Sequence, residues 1–274
     1  MKREDYPAQE PLSEAGEAYS NECWNRSAGI AYDEHAYGPD AYQRLAVYRA
    51  AKPNGTILIA WHGGGWTSGY KEWMGFMAPA LNAAGITLVS PGYRLAPQHA
   101  FPAGFEDCIA AVKWVHAHAA EFGGNPARIF VSGHSAGGHY CSLLAVRRDW
   151  QAAAGLAVDV IRGALPISGV YDFTEGNGMS VRPRFLGGTD ANDIAASPIK
   201  HLVRPLPPFL VAWGTKDFPH LMTQAEIFSE AAKAAGCKLT ALPMQDRSHF
   251  TAHYAGGEAN GPWVPEAIKF LGNN

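Results

Sequence analysis

Apolar positions fall into short runs broken by segments with helical spacing. The runs at 56–61, 86–90, 129–131, 158–167, 208–213 and 238–242 are bulky and bounded by turn residues, so each predicts a buried strand. Residues 42–49 alternate in part and predict an earlier strand, which Pro53-Asn54-Gly55 closes with turn chemistry. Between the strands lie helical segments. One follows the aromatic stretch of Gly69, Tyr70, Trp73, Phe76 and Met77 within 67–84 and ends at Gly85. A second spans about 104–120, with Phe105, Ile109, Val112 and Val115 on one face. A third covers 139–146, a fourth 221–235 with Ile227 and Phe228 inward, and the last about 265–270. Strand and helix alternate at the spacing of βαβ units. That predicts an α/β fold, a mainly parallel sheet with helices on both faces. No linker divides it, so one domain is expected over residues 1–274. Residues 1–40 lack such a pattern but carry Tyr19, Trp24, Tyr32 and Tyr37, and read as an arm that folds over the domain and caps a site. Residues 174–200, rich in glycine and proline, read as a second loop excursion near that site.

Composition narrows the function classes. Of 274 residues, 47% are hydrophobic and 17% charged, enough for a sizeable core and too little charge for disorder. The net charge of −3, with no basic cluster, argues against a nucleic-acid partner. No run reaches the ~18 apolar residues that span a bilayer. The opening MKREDYPAQE lacks the apolar core of a signal peptide. A soluble cytoplasmic protein is therefore expected. Cys23, Cys108, Cys141 and Cys237 lie far apart with no Cys-x-x-Cys, and read as buried reduced thiols. His116 and His118 are two apart, hence on different helix faces, and make a poor metal pair. No metal or other cofactor is expected.

The chemistry gathers where strands end. Gly133-His134-Ser135-Ala136-Gly137 fits G-x-S-x-G between the run at 129–131 and the helix at 139–146. A sharp strand-to-helix turn projects its middle side chain outward, and flanking glycines remove Cβ atoms that would clash. The match is short and weak alone; its context strengthens it. Upstream, 56–61 runs into His62-Gly63-Gly64-Gly65-Trp66, whose bare backbone amides can cup an anionic oxygen. His62 reads as a brace for that loop rather than a base. A serine nucleophile needs a base, and the base needs a third group to fix its tautomer. Ser135, Asp217 and His249 each follow a predicted strand, separated by 82 and 32 residues. Asp172 competes with Asp217, and His253 with His249. Asp217 is preferred because its strand is nearer in sequence to that of the histidine, and His249 because it lies closer to its strand end. Trp66, Tyr70 and Trp73, beside the glycine loop, are expected to line a flat, partly apolar substrate pocket, although core packing is the commoner fate of such residues.

Taken together, His62-Gly-Gly-Gly65, Tyr93-Arg-Leu-Ala-Pro97, Phe101-Pro102, Glu106-Asp107 and Gly133-His-Ser-Ala-Gly-Gly138 resemble the α/β-hydrolase fold in its hormone-sensitive-lipase-like esterase branch, over about residues 42–272. His62 to Trp66, Ser168-Gly-Val-Tyr-Asp172 and Asp246-Arg-Ser-His-Phe250 are also similar to serine-type kynurenine formamidases, and much of the pattern to feruloyl-esterase-like enzymes. The resemblance implies a triad of Ser135, Asp217 and His249. It also implies an oxyanion hole from the amides of Gly64, Gly65 and Ala136, with His62 bracing its loop. The expected function is a cofactor-free serine hydrolase acting on a small carboxylic ester or aryl amide through an acyl-enzyme. Two alternatives stand beside it: an arylformamidase acting on N-formylkynurenine or a related N-formyl anilide, and a non-catalytic ligand-binding protein on the same fold. The expected partner is that small molecule, with no nucleic acid and no membrane; a homodimer is left open.

Overall fold

The apolar runs pair into one sheet. The computed structural model describes residues 1–174, 181–187 and 190–274. Among these the strands are β1 (Asp33–Ala36), β2 (Arg44–Tyr48), β3 (Gly55–Trp61), β4 (Thr87–Pro91), β5 (Gly124–His134), β6 (Ile161–Ile167), β7 (Phe209–Lys216) and β8 (Leu239–Ser248). Their order across the sheet is β1-β2-β4-β3-β5-β6-β7-β8. β1 and β2 join antiparallel, and every pair from β4 to β8 is parallel, as the βαβ alternation predicts.

Alternation along a strand sends side chains to opposite faces, and both faces are covered. Ile57, Ile59 and Trp61 of β3 join one apolar cluster, which also holds Phe105 and Val112 of α3 (Ala103–His118), Leu143 of α4 (Ala136–Val146) and Phe228 of α7 (Pro219–Ala234). Leu58 and Ala60 join the other, with Tyr19 of α1 (Glu14–Ser27), Leu81 of α2 (Ala78–Ala83) and Phe270 of α9 (Val264–Asn273). Because β3, β5, β6, β7 and β8 are parallel, the residues that follow them all emerge at one rim. These are the glycine loop, Ser135, Ser168, Asp217 and, opening α8 (His249–Tyr254), His249. Ligand-binding and catalytic groups gather at this carboxyl edge in open α/β sheets.

The arm at 1–40 holds α1, fourteen residues long and capped by Ser13, whose hydroxyl accepts the Gly16 amide at 3.2 Å, and then β1. Two expectations are corrected. Ile227 does not face inward. It is 53% exposed, while Leu221, Gln224, Ala225, Phe228 and Ala232 form the buried face of α7. The stretch at 174–200 contains α5 (Arg182–Leu186) and α6 (Asp190–Ala196), and the part of that expectation on residues 175–180 and 188–189 lies outside the described residues. Among the described residues no helix is long and apolar enough to cross a membrane.

Candidate active site

Ser135 joins β5 to α4 with φ of 54° and ψ of −115°, a left-handed conformation costly for any residue with a side chain. The surroundings enforce it. The Ser135 amide donates to the Ile167 carbonyl at 3.0 Å, and its carbonyl accepts the His139 amide at 2.9 Å. Two residues on, a Cβ at Gly137 would lie 2.0 Å from the Trp61 carbonyl oxygen, so α4 can approach the sheet this closely only with glycine there.

The glycine loop after β3 is similarly constrained. Gly64 has φ of 104°, and a Cβ there would meet the Ser68 carbonyl oxygen at 2.1 Å. Its own carbonyl accepts from the Ser68 amide at 3.0 Å and the Ser68 hydroxyl at 2.9 Å. His62 is buried, donates from Nδ1 to the Gly63 carbonyl at 2.7 Å, and stacks on Tyr93 at 4.3 Å between centroids. Burial pushes its pKa down to about 4, so it is neutral and lies within the loop's own framework.

His249 and Asp217 meet from neighbouring strands. The His249 Nδ1–H donates to Asp217 Oδ1 at 2.8 Å, so in the neutral imidazole Nε2 is the nitrogen left to accept. The same carboxylate accepts the Phe218 amide at 2.7 Å and a short hydrogen bond from the Ser168 hydroxyl. Burial opposes its charge, but the bonds from His249, Ser168 and the Phe218 amide outweigh that, and its pKa lies below the ordinary carboxylate value. The rivals sit elsewhere. Asp172 accepts from the Thr174 amide at 2.9 Å and lies 3.8 Å from Lys200, while His253 is fully buried with Nδ1 2.8 Å from the Tyr19 hydroxyl.

Ser135, His249, Gly64 and Gly65 line one cavity of about 490 Å³. Ala136 is the buried first residue of α4, directly after Ser135. The arm supplies Leu12 and Tyr19 to the cavity wall, the excursion Val181 and Arg184, and the strand ends Phe218 and Phe250. Arg184 pairs with Glu10 of the arm at 2.7 Å across this region.

Of the three aromatics expected in the pocket, Trp73 lines it. The expectation for Trp66 and Tyr70 is corrected. Trp66 is 2% exposed, donates its indole N–H to His139 at 3.1 Å and stacks on Phe185. Tyr70 is buried edge-on against Tyr6 and Trp73. Sequence reasoning missed Phe218 and Phe250, although each directly follows a candidate it had named. It also missed Ser168, which it noted only as part of a motif, though Ser168 follows β6 as the others follow their strands.

The chain matches a family model described as alpha/beta hydrolase fold over residues 58–253. It is 33% identical to Esterase LipC of Mycobacterium tuberculosis over 222 residues, 72% of this chain and 54% of that protein. It is 29% identical to Esterase LipQ of the same organism over 257 residues, 86% of this chain and 61% of that protein. The shared part thus spans only about half to three fifths of the length of these two relatives. The backbone is similar to that of a hyperthermophilic esterase from the archaeon Pyrobaculum calidifontis, with a TM-score of 0.76 at 22% identity over 94% of this chain and 90% of that one. At that identity the likeness is one of fold.

Proposed function

The chain belongs to the alpha/beta hydrolase fold family, and from that footing we propose that it is a serine carboxylesterase cleaving a small ester through an acyl-enzyme. One observation carries the reading. Ser135, in a strained turn, opens on the same cavity as His249, whose Nδ1 is held 2.8 Å from a buried carboxylate. The esterase names of LipC and LipQ point the same way.

In this reading His249 Nε2 takes the Ser135 proton as Oγ attacks the ester carbonyl, and the carbonyl π electrons move to oxygen. The amides of Gly64, Gly65 and Ala136 receive that oxyanion, each donor being worth about 3–4 kcal/mol in comparable sites. Asp217 stabilises the imidazolium without taking its proton. Collapse of the intermediate expels the alcohol, which receives the proton from His249. Water then repeats the sequence on the acyl-enzyme and frees the acid. The cavity of about 490 Å³, walled by Phe218, Phe250, Trp73 and Leu12, favours a small ester with an apolar or aromatic group.

Ser135→Ala is expected to lower kcat on p-nitrophenyl acetate by about 10⁴-fold or more with the fold unchanged. It should also abolish labelling by a fluorophosphonate, which peptide mapping of the native protein should locate on Ser135. Retained turnover in this variant would sink the proposal. A panel setting short-chain aryl esters against N-formylkynurenine separates ester from formamide cleavage. Tight ligand binding without turnover would favour a non-catalytic role.

A further inference from the structure

At the cavity wall, Tyr19 of the arm joins two buried histidines. Its hydroxyl lies 3.1 Å from Nδ1 of His134 and 2.8 Å from Nδ1 of His253. The other nitrogen of His134, Nε2, lies 2.9 Å from the backbone carbonyl of His249. A carbonyl can only accept, so Nε2 of His134 carries the proton. Burial, with His249 and His253 close by, keeps His134 neutral, and its Nδ1 is therefore bare. That nitrogen must accept from Tyr19. A phenol has one proton to give, so toward His253 the same oxygen accepts, and His253 is the Nδ1–H tautomer. Its Nε2 is then a bare nitrogen, and it is buried with no hydrogen-bond partner among the described residues. The opposite direction would set two lone pairs against each other at the His249 carbonyl.

We propose that Tyr19 is a positioning residue for the reaction, its hydroxyl ordering a one-way chain from His253 through Tyr19 and His134 to the backbone of His249. The inference rests on the reading of Ser135 and His249 as nucleophile and base. His134 immediately precedes Ser135, and the last acceptor in the chain belongs to His249 itself. The chain thus ties together the two backbone segments that carry the reacting side chains, Ser135 and His249. Ring contacts reinforce it. His134 stacks on His253 at 4.7 Å and meets His249 at 4.6 Å, and the Tyr19 ring stacks on Phe250 at 4.7 Å. Cys23 Sγ is 4.0 Å from His253 Nδ1, and burial pushes its pKa up to about 12, so it stands there as a neutral thiol. Because Tyr19 lies on α1, seating of the arm and alignment of the reacting pair become one event. Small misplacements of reacting groups cost rate steeply.

The test uses the full chain. Tyr19→Phe keeps the ring and removes only the hydroxyl. It is expected to lower kcat on p-nitrophenyl acetate about tenfold while KM moves less than about twofold, because acylation and deacylation both need the aligned base. Long-range proton–nitrogen NMR on the native protein should find His253 as the Nδ1–H tautomer and His134 as Nε2–H. In Tyr19→Phe, His253 should revert to Nε2–H. His253→Asn, whose amide can still donate to Tyr19, is expected to keep more activity than His253→Leu. That comparison holds even if Tyr19→Phe folds poorly. An unchanged kcat in Tyr19→Phe, an Nε2–H tautomer at His253 in the native protein, or equal losses in His253→Asn and His253→Leu overturns the proposal. If Ser135→Ala retains turnover, the reading beneath it fails instead. If turnover depends on Ser135 and Tyr19→Phe behaves as native, only the role of Tyr19 falls.

Discussion

At the scale of single residues, the carboxylate of Asp217 depends on more than the histidine. Ser168 adopts φ of 51° and gives its hydroxyl to Asp217 from the end of a different strand. A hydrogen bond to a charged group is worth about 1.5–3 kcal/mol. Ser168→Ala is therefore expected to lower kcat/KM by about ten- to a hundredfold with little change in KM, read from initial rates; an unchanged rate would make Ser168 a bystander. This residue also marks the limit of what sequence can tell. Ser135, Asp217 and His249 could be picked out because each follows a strand-like run, a local signal. Their functional roles remain what the Ser135→Ala experiment tests. Ser168 and Tyr19 act through partners 49 and 115 residues away, and no window along the chain contains both ends of such a bond. The pocket aromatics failed for a related reason. Trp66, Tyr70 and Trp73 are equally aromatic and equally near the glycine loop, and only packing against Phe185, Tyr6 and their neighbours decides which one reaches the cavity.

Among the elements, those with continuous apolar runs or helical apolar spacing were legible, because burial on both sheet faces writes itself into composition. The antiparallel pair at the sheet margin and α1 were less so. The α1 sequence, EAGEAYSNECWNRS, is mostly polar, and it is held by a serine cap and by Tyr19 and Cys23 reaching into the second apolar cluster. Its stability comes from tertiary packing rather than from an apolar stripe. The error on α7 was one of phase. At about 100° per residue the buried stripe of Leu221, Gln224, Ala225, Phe228 and Ala232 keeps to one side of the helix, and Ile227 falls on the other. Phe228 stacks on Tyr171 at 4.3 Å and meets Phe209, while Ile227 stands in solvent. Phe228→Ala is accordingly expected to cost about 3–5 kcal/mol in urea unfolding. Ile227→Glu should stay within about 0.5 kcal/mol of the native protein. Equal costs for the two would reverse this assignment of faces.

For the molecule as a whole, buried imidazoles set the response to acid. His62 is pushed to about 4, His139 and His253 to about 3, and His134 lower than its ordinary value, burial being the leading cause in each. An unfolded chain protonates such groups near pH ~6.5. Each folded pKa is depressed, so above that pH neither state binds the proton and stability is at its plateau. As pH falls below it, the unfolded state gains protons that the native state refuses. Stability then drops by about 1.4 kcal/mol per pH unit for each imidazole, until the folded groups titrate in turn. The unfolding midpoint in urea should be level from pH 8 to 7 and fall steeply from 6.5 to 4.5. His253→Asn should show a shallower fall, by about one proton, and parallel curves would refute the account. Another consequence lies at the far margin of the sheet. β8 is ten residues long and hydrogen-bonds to β7 on one side only, an outline that invites a foreign chain to add itself. Pro243 interrupts that outline by offering no amide, and Asp246 and Arg247 charge its end. This edge of the sheet is thereby guarded against fibre-like growth when the protein is concentrated.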